Sequence, residues 1–425
     1  MEDDSISKCI TLVYVNHLYN IIIKLVDKIF LPILSIFNKK IKRFIKSRRI
    51  QSQKNYGDLH KKNKNIWFHA ASLGEYELAT AIIKKIQKDK STRIILTFFS
   101  ESGFKLKNRI KEIDYTYYLP LDTKSKSRNF IEFINPKKVY FIKSEIWPNY
   151  IKELGRKKID TYLIDGKFEK EDWYFKMPFK NFAKKILKTY KKILVQNKES
   201  KDVLIKNNIK NVIVSGSLKF ERVKMQIEEN NRNKKIEDFL NTNNCIVCGS
   251  TWIEDEKLII KYINEDKNDN IKWIIAPHDI SSNNIERITN GLNKKPILFT
   301  DLKIDNAHNN VLIINTIGDL KKIYSYATIS YIGGGMGKTG LHNILETCIF
   351  NNPTIIGKNY DKFIESKELV ELEGIISVNN YEDFKKSLNK LINDKVHVKK
   401  IKKIISEYMN RNLGALSIIN KETQI

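Results

Sequence analysis

The residues best suited to chemistry fall into two groups. The first is Ser330–Gly340 with the segment that follows it, reading S-Y-I-G-G-G-M-G-K-T-G-L-H-N-I-L-E. An apolar, β-branched run at 327–332 feeds a turn holding Gly333, Gly334, Gly335 and Gly337. Glycines let a backbone approach a ligand closely and adopt positive φ. A helix is predicted from Leu341 to Phe350, and its start would offer unpaired N–H groups to a phosphate. Lys338 and His342 would add positive charge or donors, and Glu346, one turn after His342, would share its helix face. A carboxylate there suits neutral hydroxyls such as a ribose. The spacing is not G-x-G-x-x-G, so hydride chemistry is not indicated. The plainer reading is a strand-to-helix turn.

The second group follows strands of the N-terminal half. His69-Ala-Ala-Ser-Leu-Gly74-Glu75 puts a carboxylate at a helix start, where the dipole favours its ionised form. An ionised carboxylate in a cleft can take a proton from a hydroxyl; the plainer reading is a first-turn glutamate that caps the helix. Lys143-Ser-Glu145-Ile-Trp-Pro148-Asn149 adds a second carboxylate past another strand end, the pairing that acid–base chemistry uses. Ser215-Gly-Ser-Leu-Lys219 offers a cation to a leaving phosphate.

Positioning these groups requires an α/β chain. Its 425 residues suggest two domains, and 41% hydrophobic content suffices for their cores. Strands alternate with helices from Asn65, which predicts parallel, doubly wound sheets with ligands at the strands' carboxyl ends. A helix is expected at Gly103–Lys111. Residues 51–64 and 224–240 read as linkers; after the second the alternation restarts, and Tyr381–Met409 is helical. A net charge of +27 favours anionic partners, although lysine and asparagine are abundant everywhere. The basic residues are dispersed, with no aromatic stacking platform, so nucleic acid is not an expected partner. Of four cysteines, Cys245 and Cys248 stand three apart in an apolar run. In a strand they point to opposite faces, a buried pair rather than a zinc site.

Residues 1–50 stand apart. Cys9–Ile23 is nearly free of charge, Ile29–Phe37 is apolar again, and seven basic residues follow between Lys39 and Arg49. Such a segment spans a membrane or lies in its interface, with the basic run on the cytoplasmic side; the plainer reading is an ordinary buried N-terminal helix.

Together these stretches resemble the bacterial 3-deoxy-D-manno-octulosonic acid (Kdo) transferases of the lipopolysaccharide inner core. The matching residues are His69–Glu75, Tyr118–Asp122, Glu145–Asn149, Ser215–Phe220, Gly249–Thr251 with Glu254 and Glu256, Ala276-Pro277-His278, Ile317-Gly318-Asp319 and Gly333–Glu346. The resemblance implies a glycosyltransferase B-type α/β fold, two Rossmann-like domains facing across a cleft, with an N-terminal membrane-associating helix. It divides the chain into residues 1–50 at the membrane, 51–223 for the acceptor and 224–425 for the CMP-sugar donor. It implies transfer of Kdo from CMP-Kdo to a hydroxyl of the lipid A precursor, with inversion, at the cytoplasmic face of the inner membrane. Glu75 would be the general base, with Glu145 and Lys219 supporting the transition state. CMP-Kdo would meet Ser250, Pro277, His278, Ile317, Gly318, Asp319, Gly334, Gly335, His342, Asn343, Ile344, Leu345 and Glu346. Many members carry arginine where this chain has His278. No cofactor or metal is expected. A B-type glycosyltransferase with another nucleotide sugar and lipid acceptor is the alternative.

Overall fold

The computed structural model describes residues 2–52, 64–104, 112–266, 270–303 and 308–425. Most of the predicted 51–64 linker and of the predicted Gly103–Lys111 helix lies outside the described residues. The chain divides into two compact units, one of residues 1–222 with 413–425, the other of 223–412.

The first unit holds a seven-stranded sheet: β1 (Lys64–Ala70), β2 (Thr92–Phe98), β3 (Tyr115–Tyr118), β4 (Lys138–Ile142), β5 (Asp160–Gly166), β6 (Lys192–Val195) and β7 (Val212–Val214). The spatial order is β3-β2-β1-β4-β5-β6-β7, and every pairing is parallel. Helices cover both faces, so strand residues are apolar on both sides. Trp67, Phe141 and Ile193 pack on one face with Tyr150. Phe68, Tyr140 and Tyr162 stack in a row on the other, with ring centroids 4.8 and 5.4 Å apart.

The second unit repeats the plan with β8 (Asn244–Thr251), β9 (Ile271–Pro277), β10 (Ile297–Leu298), β11 (Val311–Ile313), β12 (Ile329–Ile332), β13 (Thr354–Gly357) and β14 (Ile375–Val378). Its order is β10-β11-β9-β8-β12-β13-β14, again all parallel. Cys245 and Cys248 are fully buried in β8.

Three sequence expectations are corrected. The 224–240 linker is largely helical, in Leu218–Glu228 and Lys234–Leu240. Ile236, Phe239 and Leu240 recur at helical spacing and are buried, and one such stripe holds a short helix despite its charged neighbours. The helix predicted from Leu341 shrinks to Leu345–Cys348, so His342 precedes it and shares no helix face with Glu346. Residues 413–425, expected in the donor domain, belong to the first unit. There Ala415 and Ile419 join the core beside Phe68, and the Tyr140 hydroxyl donates to Thr423 Oγ1 at 3.2 Å.

The N-terminal segment forms helices Glu2–Leu25, Leu31–Phe37 and Lys39–Ser52, with a π-helical turn at Val26–Phe30. Polar bonds tie it to the first unit. Tyr19 donates to Asp122 Oδ2 at 2.6 Å, and Arg48 donates to the carbonyls of Phe99 and Leu119 at 2.7 and 3.1 Å. The Gln51 amide bonds both backbone groups of Tyr118 on edge strand β3, covering an edge that would otherwise seek a partner. Among the described residues, no helix is long and apolar enough to cross a membrane.

Candidate active site

In the first unit the strand order reverses between β1 and β4. Such a switch point opens a crevice at the strands' carboxyl ends, and the two carboxylates come from there. Glu75 lies in the first turn of the helix Leu73–Ile86 that follows β1, and Glu145 follows β4. Glu75 Oε2 accepts the N–H of Ala71, one residue before the helix N-cap Ser72, at 2.5 Å. The same group carries a second feature. Burial, and then the charge of Glu145, raise its pKa to about 7, against hydrogen bonds from Ala71 and Ser72 and the charge of Lys143. The helix dipole was expected to keep it ionised; burial beside a like charge outweighs the dipole.

Glu145 is held from several sides. Its Oε2 accepts Trp147 Nε1–H at 2.7 Å, and its carbonyl accepts the Tyr190 hydroxyl at 2.9 Å. The fully buried His69 ring stands with Nε2 3.7 Å from the same Oε2. Pro148 starts the next helix without needing an N–H, and Asp122 accepts the N–H groups of Asn149 and Tyr150 at 3.0 Å each.

Lys219 lies in the first turn of the helix Leu218–Glu228 after β7. Arg222 of that helix donates to Glu77 of the Glu75 helix at 2.6 Å, so the two helices are tied. The residue organising this end of the sheet is Asp165, which the sequence reading did not single out. It is fully buried and accepts from Lys143 Nζ at 2.9 Å, Gln196 Nε2 at 2.8 Å and the Leu218 N–H at 2.8 Å. Lys143 and Asp165 both have positive φ, 66° and 57°, bent where each strand ends. Asp165→Asn is expected to cost about 3 kcal/mol in denaturant unfolding, the scale for breaking a buried ion pair. The same change removes the anchor of Lys143.

In the second unit the order reverses between β8 and β12. Ser250, with φ 54°, is the second-last residue of β8, and Gly333 follows β12. These turns are pressed together. A Cβ on Gly333 would lie 2.3 Å from the Ser250 carbonyl oxygen, and one on Gly357 would lie 2.2 Å from the Gly335 carbonyl carbon. Asp255, which no sequence reading chose, joins them. It is buried and accepts the Trp252 and Gly334 N–H groups at 2.9 and 2.8 Å and the Tyr331 hydroxyl at 2.7 Å.

His278, after Pro277 at the end of β9, stacks on Trp252 at 4.5 Å, and His342 lies 4.8 Å from His278. Trp252 Nε1–H donates to His342 Nε2 at 3.2 Å. Burial and then His278 lower the pKa of His342. The positive charge expected at His342 is therefore replaced by a neutral ring that accepts from the indole. Asn343 Oδ1 accepts the Leu345 N–H at 3.1 Å, and its amide donates to Glu346 at 3.3 Å. Ile344 and Leu345 are buried beneath them. Gly318, with φ 105°, turns the loop after β11, leaving Ile317 89% exposed. Asp319 accepts the Thr316 hydroxyl at 2.5 Å. The structure thus gathers Ser250, His278, Gly334, Gly335 and His342 around Trp252 and Asp255. Ile317–Asp319 stands on its own loop at the same end of the sheet.

Comparisons with known proteins bear on the fold and the family. Residues 43–222 match the family model for 3-deoxy-D-manno-octulosonic-acid transferase (kdotransferase). A 3-deoxy-D-manno-octulosonic acid transferase of Rickettsia prowazekii is 30% identical over 336 residues, covering 77% of this chain and 72% of that protein. A bifunctional glycosyltransferase/methyltransferase of Fusobacterium nucleatum is 26% identical over 96% of this chain, which spans only 63% of that protein's length. Among solved structures, UDP-GlcNAc 2-epimerase from Neisseria meningitidis, bound to UDP-GlcNAc, superposes with a TM-score of 0.61 at 14% identity, covering 85% of this chain and 99% of that one. A glycosyltransferase from Rickettsia africae gives 0.53 at 13% identity, covering 85% and 99%. These likenesses show the fold, two Rossmann-like units of the glycosyltransferase B type. By its sequence, the chain belongs to the 3-deoxy-D-manno-octulosonic acid transferase family of glycosyltransferases.

Proposed function

We propose that this chain transfers Kdo from CMP-Kdo to a hydroxyl of the lipid A precursor, with Glu75 as general base. The observation that carries the reading is the Glu75–Glu145 pair at the β1/β4 switch point of a Kdo-transferase family chain, with Glu75 pushed up to about 7. A base of that pKa is ionised about half of the time at neutral pH and still holds a proton well once it has taken one. Glu75 Oε2 accepts the Ala71 N–H, and a remaining lone pair of the carboxylate receives the acceptor proton. As the acceptor oxygen attacks the anomeric carbon, CMP leaves from the opposite side and the centre inverts. Lys219 and backbone N–H groups offset the charge that gathers on the phosphate.

The first unit, with residues 413–425, then receives the acceptor, and the second, residues 223–412, the donor. In the donor half, the glycine turns at Gly334 and Gly335 with Ser250 meet the phosphate. Pro277, His278 and Ile317–Asp319 meet the nucleotide, and His342–Glu346 its hydroxyl groups. His278 stacked on Trp252 stands where many members of the family carry arginine. Residues 1–50 dock on the cytoplasmic face of the bacterial inner membrane. Exposed apolar side chains support this: Tyr14, Ile21, Phe30, Ile36 and Phe37, the last 84% accessible, precede the basic run from Lys39. An interfacial helix with apolar and basic residues binds anionic lipid surfaces.

The test incubates the protein with CMP-Kdo, generated in situ, and tetra-acylated lipid A precursor carried in phosphatidylglycerol or phosphatidylcholine vesicles. Lipid products are then weighed. A gain of one or more Kdo units is expected, faster on the anionic vesicles. No product from folded protein would remove the Kdo assignment and favour another donor sugar, and equal rates on both vesicles would remove the anionic-membrane reading.

A further inference from the structure

His69 lies fully buried in β1, outside every role assigned above. Its Nδ1 is 2.9 Å from Thr97 Oγ1, while its Nε2 is buried with no hydrogen-bond partner. An orphaned buried polar atom is costly and calls for an explanation. The hydrogen positions follow from the neighbours. Thr97 Oγ1 already accepts Trp67 Nε1–H at 2.8 Å, and an indole N–H can only donate. The threonine has one hydrogen to give. His69 Nδ1 at 2.9 Å is nearer than the Phe68 carbonyl at 3.3 Å. If the hydroxyl donates to Nδ1, the ring proton sits on Nε2 and faces Glu145 Oε2, 3.7 Å away. The opposite assignment would aim a bare nitrogen lone pair at a carboxylate inside the protein. The rings of Phe141 and Trp147 flank the imidazole edge-on, at 5.7 and 5.6 Å, and restrict its rotation.

We propose that His69 is a positioning residue: with Thr97 fixing its proton on Nε2, it donates to Glu145 and holds that carboxylate in place for transfer. The bond is long in this state and closes when substrate fills the site, as catalytic hydrogen bonds often do. The chain Trp67–Thr97–His69–Glu145–Trp147 then joins the ends of β1, β2 and β4 around the switch point. This inference rests on the transfer reading above, and its test has an arm that does not.

Substitutions with and without a donor near the Nε2 position separate positioning from packing. In His69→Gln the amide nitrogen reaches near the Nε2 position and keeps a donor toward Glu145. In His69→Asn it stops near Nδ1. Asparagine is one methylene shorter and leaves the larger gap, so its melting temperature should fall further; His69→Leu, which fills the volume without a donor, should lose kcat as His69→Asn does. The expected result is that kcat falls about 10- to 100-fold in His69→Asn, the worth of a hydrogen bond to a charged group. KM for donor and acceptor should stay within about twofold, and His69→Gln should recover most of kcat. Equal losses in His69→Gln and His69→Asn, or full activity in His69→Asn, would overturn the proposal. Independently of activity, nitrogen NMR of histidine-labelled protein should show His69 Nε2 protonated, and an unprotonated Nε2 would overturn it as well. If the wild type transfers nothing while the NMR result holds, the transfer reading fails and the tautomer assignment stands.

Discussion

Glu75→Gln is expected to lower kcat by about 10²- to 10⁴-fold, the range for loss of a general base, while making the folded protein more stable above neutral pH. Both effects have one origin. Burial and the charge of Glu145 raise the Glu75 pKa to about 7. A carboxyl group whose folded pKa exceeds its unfolded value, near 4.5, binds its proton more tightly in the folded state. Stability therefore declines as pH rises from about 4.5 to about 7 and is level beyond. Glutamine keeps an oxygen for the Ala71 N–H and carries no charge. Its melting temperature should match the wild type at pH 4.5 and exceed it at pH 8. The wild-type kcat/KM should drop below pH 7, and Glu145→Gln should carry that limb to lower pH by removing the repelling charge. A limb that stays in place in Glu145→Gln, or a Glu75→Gln variant with wild-type turnover, would exclude Glu75 as the base.

Much of this architecture is legible in the sequence. Alternating apolar runs and amphipathic stretches locate β1, β2, β4 and β12 to within a residue or two, because strands buried on both faces read as unbroken β-branched runs. Glycine and proline mark the turns at Gly74, Pro148 and Gly333. Glu75 and Glu145 could be chosen because the carboxyl ends of parallel strands are where ligands bind. What the sequence hides is partnership at a distance. Asp165 looks like an ordinary strand-end aspartate until Lys143, Gln196 and Leu218 converge on it from three other segments. Trp252 reads as one apolar residue before a helix, yet it contacts both His278 and His342. The helix after the glycine turn is overestimated because Leu341, Ile344 and Leu345 fit helical spacing. Leu341 and Ile344 are buried instead in an irregular turn in which Asn343 Oδ1 accepts the Leu345 N–H. Residues 413–425 carry no local sign of returning to the first unit, since their partners Phe68 and Tyr140 lie more than 250 positions away.

Gly357→Ala is expected to be a strongly damaging single-methyl change in the donor half. Neither Gly335 nor Gly357 needs positive φ; their requirement is space. The added Cβ at position 357 would lie 2.2 Å from both the Gly335 carbonyl carbon and Met336 N. Those are backbone atoms, so no rotamer change relieves the clash, and the whole turn after β12 must move. Asp255 resists that movement, because it holds the Gly334 N–H at 2.8 Å while its other bonds fix Trp252 and Tyr331. Overpacking a well-filled site costs about 1–3 kcal/mol, and a backbone-on-backbone contact belongs at the upper end. Donor affinity should fall more steeply than stability, since the displaced turn is the one proposed to meet the phosphate. Gly74→Ala supplies the contrast. A Cβ there meets nothing within 4 Å, so the change should stabilise the helix by about 0.5–1 kcal/mol. Any loss of turnover in Gly74→Ala would then report on the acceptor filling that open space. Calorimetric titration with a CMP-sugar, run beside denaturant unfolding of both variants, separates the two. Unaltered donor binding by Gly357→Ala would show that the turn does not contact the donor phosphate.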